Sequence, residues 1–157
     1  MEGLLGTNLV IQIGIVVNDI VKATEAYADF FGVPNPGYFE TAPIEDSHTS
    51  FHGEFTEGRC LQSFFNCGQL KIELLQPDNH PSAWREGLDK NGEGIHHIAF
   101  CVKDLRGKVK LLEEHGYHEI QSGGWIKTKK KNTSGLYSYI DATEKLKILF
   151  ELLEYLE

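Results

Sequence analysis

Apolar residues recur in two matching patterns, IQIGIVV from Ile11 to Val17 and HHIAFCV from His96 to Val102, each followed by an aspartate and then by helical spacing. Superposed, Gln12 falls on His97, Ile13 on Ile98, Gly14 on Ala99, Val17 on Val102 and Asp19 on Asp104. A strand leading into an aspartate N-cap and a helix accounts for both copies. The first helix is expected to carry Ala23, Tyr27 and Phe30 or Phe31 inward, and the second Val109 and Leu112, with Gly32 and Gly116 as stops. A second echo closes each copy, because KIELL (Lys71 to Leu75) resembles LFELL (Leu149 to Leu153) with Glu73 over Glu151. Between helix and closing strand, GYFET and RCLQSFFNCG in the first copy, and HEIQSG and GLYSYID in the second, read as short antiparallel strands.

Each module is therefore predicted to run strand, helix and three strands, an α+β fold of two tandem βαβββ units. Residues 1–157 are expected to form a single domain, with module one at about 9–77, a connector at about 78–93 and module two at about 94–154. In the connector, Pro77 ends a strand, and Pro81 to Asp89 is predicted to be a short helix with Pro81 in its first turn. The segment PIEDSHTSFHGEF reads as a variable loop able to close over a site, with His48 and His52 as surface residues.

Strand alternation sorts the polar residues. Ile11, Ile13, Ile15 and Val17 share a face suited to packing beneath a helix, which leaves Gln12, Gly14 and Val16 on the open face. In the second copy Ile98, Phe100 and Val102 take the helix side and His97, Ala99 and Cys101 the open side. His96 goes with the helix set and is the structural histidine of the pair. The same alternation puts Ile72, Leu74, Phe150 and Leu152 under the helices and turns Glu73 and Glu151 to the open face. A buried unpaired carboxylate costs several kcal/mol, so it is paired, protonated or bound to a cation. One imidazole, two carboxylates and one amide at repeat-related positions suit one divalent ion, Co²⁺, Ni²⁺, Mn²⁺ or Zn²⁺, with water or substrate completing the shell.

Composition narrows the partners. With 157 residues, 41% of them hydrophobic, and a formal charge of −8, the chain can bury a core but lacks the basic surface that nucleic acid demands. The N-terminal MEGLLGTNLV has neither the basic start nor the long apolar stretch of a signal peptide, and no run reaches the roughly 18 residues of a membrane span. A cytoplasmic protein with no membrane contact is expected. Cys60, Cys67 and Cys101 form no C-x-x-C pair and read as free thiols, with Cys101 half-buried in a strand.

The stretches IQIGIVVNDI, LKIELLQP, GIHHIAFCVKDL and LFELLE resemble the vicinal oxygen chelate superfamily, which includes glyoxalase I, methylmalonyl-CoA epimerase, extradiol dioxygenases and the bleomycin- and fosfomycin-resistance proteins. The resemblance covers about Leu9 to Leu153 and implies a curved mixed sheet around a metal-binding cup, with ligands Gln12, Glu73, His97 and Glu151. The connector WREGLDKNGEG and the ELLQP ending look most like methylmalonyl-CoA epimerase. Those epimerases usually carry histidine at the position of Gln12, whereas a Gln-Glu-His-Glu set resembles some glyoxalase I enzymes. Where such a glyoxalase has glutathione-binding arginines, this chain has Val16 and Glu93; where an epimerase has its second base, it has Gln62.

The resemblance thus implies a divalent-metal-dependent epimerase or isomerase that works through a metal-stabilised enolate, on an acyl-CoA such as methylmalonyl-CoA, with Glu151 as ligand and base. The alternatives are a glyoxalase I-like lactoylglutathione lyase and a metal-free, ligand-sequestering protein of the bleomycin-resistance kind. A ring-opening dioxygenase would need a second histidine beside His97. Lys127, Lys129, Lys130 and Lys131, a basic tip in an acidic chain, are candidates for coenzyme A phosphates, against an ordinary solvated hairpin tip. Phe64, Phe65 and Trp125 line the pocket or pack the core. The cup is expected to close within one chain or across a homodimer.

Overall fold

Both aspartates cap helices. Asp19 accepts a hydrogen bond from the Lys22 amide at 3.0 Å and opens α1 (Ile20–Phe31) directly after β1 (Gln12–Val16). Asp104 accepts from the Gly107 amide and opens α4 (Leu105–Glu114) after β7 (Gly94–Cys101), with the Glu154 carboxylate taking the Asp104 and Leu105 amides as well. Gly32, at φ 68°, ends α1 in the left-handed conformation that glycine adopts without strain.

The computed structural model describes residues 3–156 and contains a ten-stranded sheet. The remaining elements are β2 (Phe39–Glu40), α2 (Ile44–Ser47), β3 (Ser50–Phe51), β4 (Glu54–Phe55), β5 (Cys60–Asn66), β6 (Lys71–Pro77), α3 (Ala83–Asn91), β8 (His118–Trp125), β9 (Ser134–Asp141), α5 (Thr143–Leu146) and β10 (Leu149–Leu156). The spatial order is β2-β5-β6-β1-β7-β10-β9-β8-β3-β4. In each module the first strand pairs in parallel with the last, β1 with β6 and β7 with β10, and the rest follow antiparallel outward. The antiparallel β1–β7 pair joins the modules.

Three apolar clusters result. α1 buries Ile20 and Ala28 against Val17, Phe65 and Leu74, while α4 buries Leu105, Val109 and Leu112 against Ile140 and Leu152. The third lies on the opposite sheet face, where Trp84 and Leu88 of α3 meet Val16, Leu75, Tyr137, Tyr139 and Leu153. Ile72 and Leu74 accordingly pack under α1, and Phe150 and Leu152 under α4, as alternation predicts.

Four local expectations are corrected. On α1 Ala23 and Tyr27 pack inward as expected, but the fully buried line is Ile20, Thr24 and Ala28, Phe31 is only half-covered in tilted contact with Tyr27 and Phe65, and Phe30 is 85% exposed. The i, i+4 spacing of the small residues lets the helix sit close to the sheet and turns Phe30 outward. α3 starts at Ala83, not at Pro81, because the Ser82 hydroxyl accepts the Arg85 amide and makes Ser82 the N-cap. Cys101 is exposed, at the end of its strand. The segment after Pro43 is partly ordered into α2 and the β3–β4 hairpin, and β3 pairs with β8 of the other module; two-residue strands carry no periodicity to read.

Leu74 is fully buried between α1 and the sheet. Leu74→Ala is expected to lower the unfolding free energy by about 2–5 kcal/mol in urea titration, with the transition seen by tryptophan fluorescence and circular dichroism still coincident.

Candidate metal centre

Gln12, Glu73, His97 and Glu151 come from β1, β6, β7 and β10, four consecutive strands of the sheet, and all point to the face opposite α1 and α4. Register brings them level, since Gly14 lies opposite both Glu73 and His97, and Ala99 opposite both Gln12 and Glu151. His97 is fully buried, and Glu73 and Glu151 are 4% and 5% exposed. His97 Nε2 lies 3.5 Å from Glu73 Oε1 and 3.0 Å from Glu151 Oε2. Gln12 Nε2 donates to both carboxylates at 3.2 Å, and Gln62 Nε2 donates to Glu73 at 3.0 Å.

Two glycines make room for the histidines. A Cβ on Gly14 would run into the His97 ring, and one on Gly87 of α3 would come within 2.6 Å of His96 Cδ2. His96 is the residue that alternation misplaces. Gly14 pairs with His97 but Ile15 with Ile95, so His96 is an extra residue on β7, and the register shift turns it toward α3 and away from the α1 and α4 layer. It stays structural in surroundings but touches the candidate ligand: His96 Nδ1 is 2.9 Å from His97 Nδ1, and His96 Nε2 is 2.9 Å from the Ala83 carbonyl.

This chain of contacts sets the tautomers. A carbonyl only accepts, so His96 carries its proton on Nε2 and offers Nδ1 as acceptor. His97 then donates from Nδ1, and its Nε2 is left to face the carboxylates. Burial pushes the His96 pKa down to about 3, helped by the charge of its neighbour, so His96 remains neutral. Burial also depresses His97, but the nearby negative charge of Glu151, then of Glu73, outweighs it and raises the pKa to about 9. Burial raises Glu151 despite the opposing pull of His97.

The set fits a cation. One ligand atom each of Glu73, His97 and Glu151 lies within 4.8 Å of the others. Despite its closeness to the carboxylates, His97 Nε2 lacks an in-line hydrogen-bond partner, as does Gln62 Oε1. A divalent ion would take the place of the His97 proton and balance both carboxylates. Gln12, which now turns its amide nitrogen to them, would flip to present oxygen.

The centre forms the floor of a cup of about 650 Å³. Trp84, Tyr137 and Tyr139 form an apolar wall, with Trp84 Nε1 donating to the Tyr139 hydroxyl at 2.8 Å. Gln121 ties α3 to the sheet by accepting from the Ala83 amide and donating to the Tyr137 hydroxyl. Sequence reasoning missed this wall, because aromatic residues in a connector and in a strand of the second module give no sign of facing one another. At the rim Glu40 pairs with Arg59 at 3.3 Å. Of the four lysines, Lys131 enters the cup, Lys130 lines its lip, and Lys127 and Lys129 are exposed outside it. Phe64 and Trp125 line the cup, whereas Phe65 belongs to the core under α1. Val16 is buried in the concave core; Glu93 lies on the surface, accepting from the Asn18 amide; His48 and His52 are exposed.

Comparison with known proteins agrees with this architecture. Residues 11–137 match the family model for the Glyoxalase/Bleomycin resistance protein/Dioxygenase superfamily. A curated relative, the uncharacterized protein YqjC of Bacillus subtilis (strain 168), is 27% identical over 103 residues, which are 66% of this chain and 64% of that protein. Among solved structures, hypothetical protein BH1468 from Bacillus halodurans C-125 is 22% identical with a TM-score of 0.64, covering 94% of each chain. Methylmalonyl-CoA epimerase from Mycobacterium tuberculosis is 23% identical with a TM-score of 0.61, covering 96% of this chain and 92% of that one. A Streptomyces coelicolor methylmalonyl-CoA epimerase variant in complex with 2-nitronate-propionyl-CoA is 20% identical with a TM-score of 0.59, covering 94% and 96%. These structures share the fold: a curled mixed sheet flanked by helices.

Two outcomes are expected. Gly14→Ala should displace the His97 ring and cut bound divalent metal well below one equivalent by elemental analysis, while circular dichroism stays unchanged. An ion must displace the His97 proton, so calorimetry should show proton release at neutral pH and an affinity falling about tenfold per pH unit below about 9. For the metal-free protein the sign is opposite. The His97 contribution to stability is full below its ordinary 6.5 and disappears as pH rises through about 9, so thermal unfolding should shift downward across that window.

Proposed function

The chain belongs to the glyoxalase/bleomycin resistance protein/dioxygenase superfamily, and from that premise we propose that it is a divalent-metal-dependent epimerase or isomerase. It would move a proton at the carbon beside the carbonyl of an acyl-CoA such as methylmalonyl-CoA. The observation that carries the reading is the buried Glu73, His97 and Glu151 cluster with an unpartnered imidazole nitrogen aimed into it. The epimerases with the same fold, one of them bound to an acyl-CoA analogue, support the substrate class.

Gln12, Glu73, His97 and Glu151 would hold the ion. When bound, it supplies Lewis-acid polarisation of a substrate carbonyl, which acidifies the adjoining C–H bond. Glu151 takes the proton. Burial raises its pKa in the metal-free protein, and its place on the cup floor leaves the carboxylate little hydration to give up when it takes the proton. Gln62 holds Glu73 by a 3.0 Å hydrogen bond and, being an amide, leaves Glu151 as the base. His96 orients His97 through the paired ring nitrogens. Trp84, Tyr137 and Tyr139 present an apolar wall to the acyl group.

A lactoylglutathione lyase is the second reading, favoured by the Gln12 amide set between both carboxylates. Val16 weighs against it, since a buried aliphatic side chain stands where a guanidinium would meet glutathione.

Protein prepared without chelators is expected to carry near one equivalent of divalent metal, lost in His97→Ala and Glu73→Ala. In deuterated water it should exchange the α-proton of methylmalonyl-CoA, and Glu151→Gln should abolish exchange without unfolding the protein. Exchange undiminished in Glu151→Gln would refute the base. Exchange confined to a hemithioacetal substrate would select the lyase, and a wild-type protein without metal or exchange would leave a ligand-binding role.

A further inference from the structure

The basic tip between β8 and β9 folds back on itself. The Thr128 amide donates to the Lys131 carbonyl at 2.7 Å, and the Lys131 amide donates to the Thr128 hydroxyl at 3.0 Å. That turn directs Lys131 into the cup, where its ammonium rests over three aromatic rings: Trp125 at 4.9 Å from the centroid, and Phe39 and Phe64 each at 5.7 Å. Trp125 belongs to module two, and Phe39 and Phe64, stacked 5.9 Å apart, belong to module one. One side chain therefore spans both lips of the cup.

The box stabilises a cation but leaves its N–H groups poorly satisfied, because π faces attract charge without accepting strong hydrogen bonds. Burial draws the Lys131 pKa down, and the Glu73 and Glu151 carboxylates, close enough to act on it, oppose that effect. Once a divalent ion balances those carboxylates, and with Arg59 paired to Glu40, the charges remaining around the cup are Lys71, Lys130 and Lys131 against Asp46. A net acidic protein thus has a cup of positive sign, in which Lys131 is the least exposed of the three lysines.

We propose that Lys131 is a specificity-determining residue, whose ammonium turns from the aromatic box to pair with a carboxylate on the substrate held at the Glu73, His97 and Glu151 centre. The inference rests on the proton-transfer reading and narrows it to acyl thioesters that bear a second, anionic group close to the reacting carbon. A carboxylate fits this position better than a coenzyme A phosphate, because Lys131 lies within the electrostatic reach of Glu73 and Glu151 on the floor, whereas Lys127 and Lys129 lie outside the cup.

The test uses the metal-loaded full chain and two small thioesters that differ by one carboxylate, monothioethyl malonate and ethyl thiopropionate, with binding measured by calorimetry. The wild type should prefer the malonate by about tenfold or more. Lys131→Met, close in length and uncharged, should remove that preference; Lys131→Arg should keep part of it, and Lys127→Met all of it. A preference that survives in Lys131→Met, or is absent from the wild type, would overturn the proposal. So would a Lys131→Met defect seen only between propionyl-CoA and propionyl-pantetheine, which would make Lys131 a phosphate ligand. Exchange of the α-proton separates the two readings. Exchange with an unchanged preference in Lys131→Met removes the lysine alone, whereas a lysine-dependent preference without exchange removes the enzyme alone.

Discussion

Two carboxylates and one imidazole share a volume that water scarcely enters, and the surrounding structure is arranged around that constraint. Two buried anions side by side repel each other and lose hydration, so a positive charge must stand between them. In the metal-free chain the His97 proton meets this need, while the Gln12 and Gln62 amides take up carboxylate oxygens. A proton and a divalent ion are thus alternative occupants of one place. The imidazole nitrogen lies close to both carboxylates yet out of line with either, a geometry that suits a shared central charge better than a single hydrogen bond.

Holding His97 there depends on residues that lie outside the carboxylate cluster. Gly14 leaves the space its ring occupies, and the extra residue on β7 swings His96 behind it. His96 is fixed in turn by the Ala83 carbonyl at the start of α3, whose amide is held by Gln121 from β8. The connector helix is therefore part of the site, although it supplies no candidate ligand. Orientation of the imidazole passes through a backbone group of the first helical turn, so the Ser82 cap that starts α3 contributes to the centre as well as to the helix.

Much of this was legible because the repeat is read twice. Glu73 and Glu151 stand out as acidic residues in apolar strands, and alternation alone turns them away from α1 and α4, as the packing of Leu74 and Leu152 requires. The histidines show where such reasoning stops. Alternation separates His96 from His97 only while the strand is regular, and a one-residue bulge leaves no mark in the pattern. The aromatic wall and the Lys131 box were illegible for another reason: Trp84, Tyr139, Phe39, Phe64 and Trp125 come from separate elements, and only the curl of the sheet makes them neighbours. The β3–β4 hairpin, two residues per strand, is too short for any period to register.

That hairpin and β2 also decide how the sheet ends. Its outermost strands, β2 on one side and β4 on the other, have two residues each, although seven- and eight-residue strands lie within. A long bare edge would be a template on which another chain could add its own strand. Here β2 covers only Leu61 and Gln62 of β5, and β3 only Gln121 and Ser122 of β8, and the charged side chains of Glu40 and Glu54 stand on the outermost strands. The same loop excursions that build the cup thus interrupt both edges of the sheet, so that an added strand would meet no long straight run.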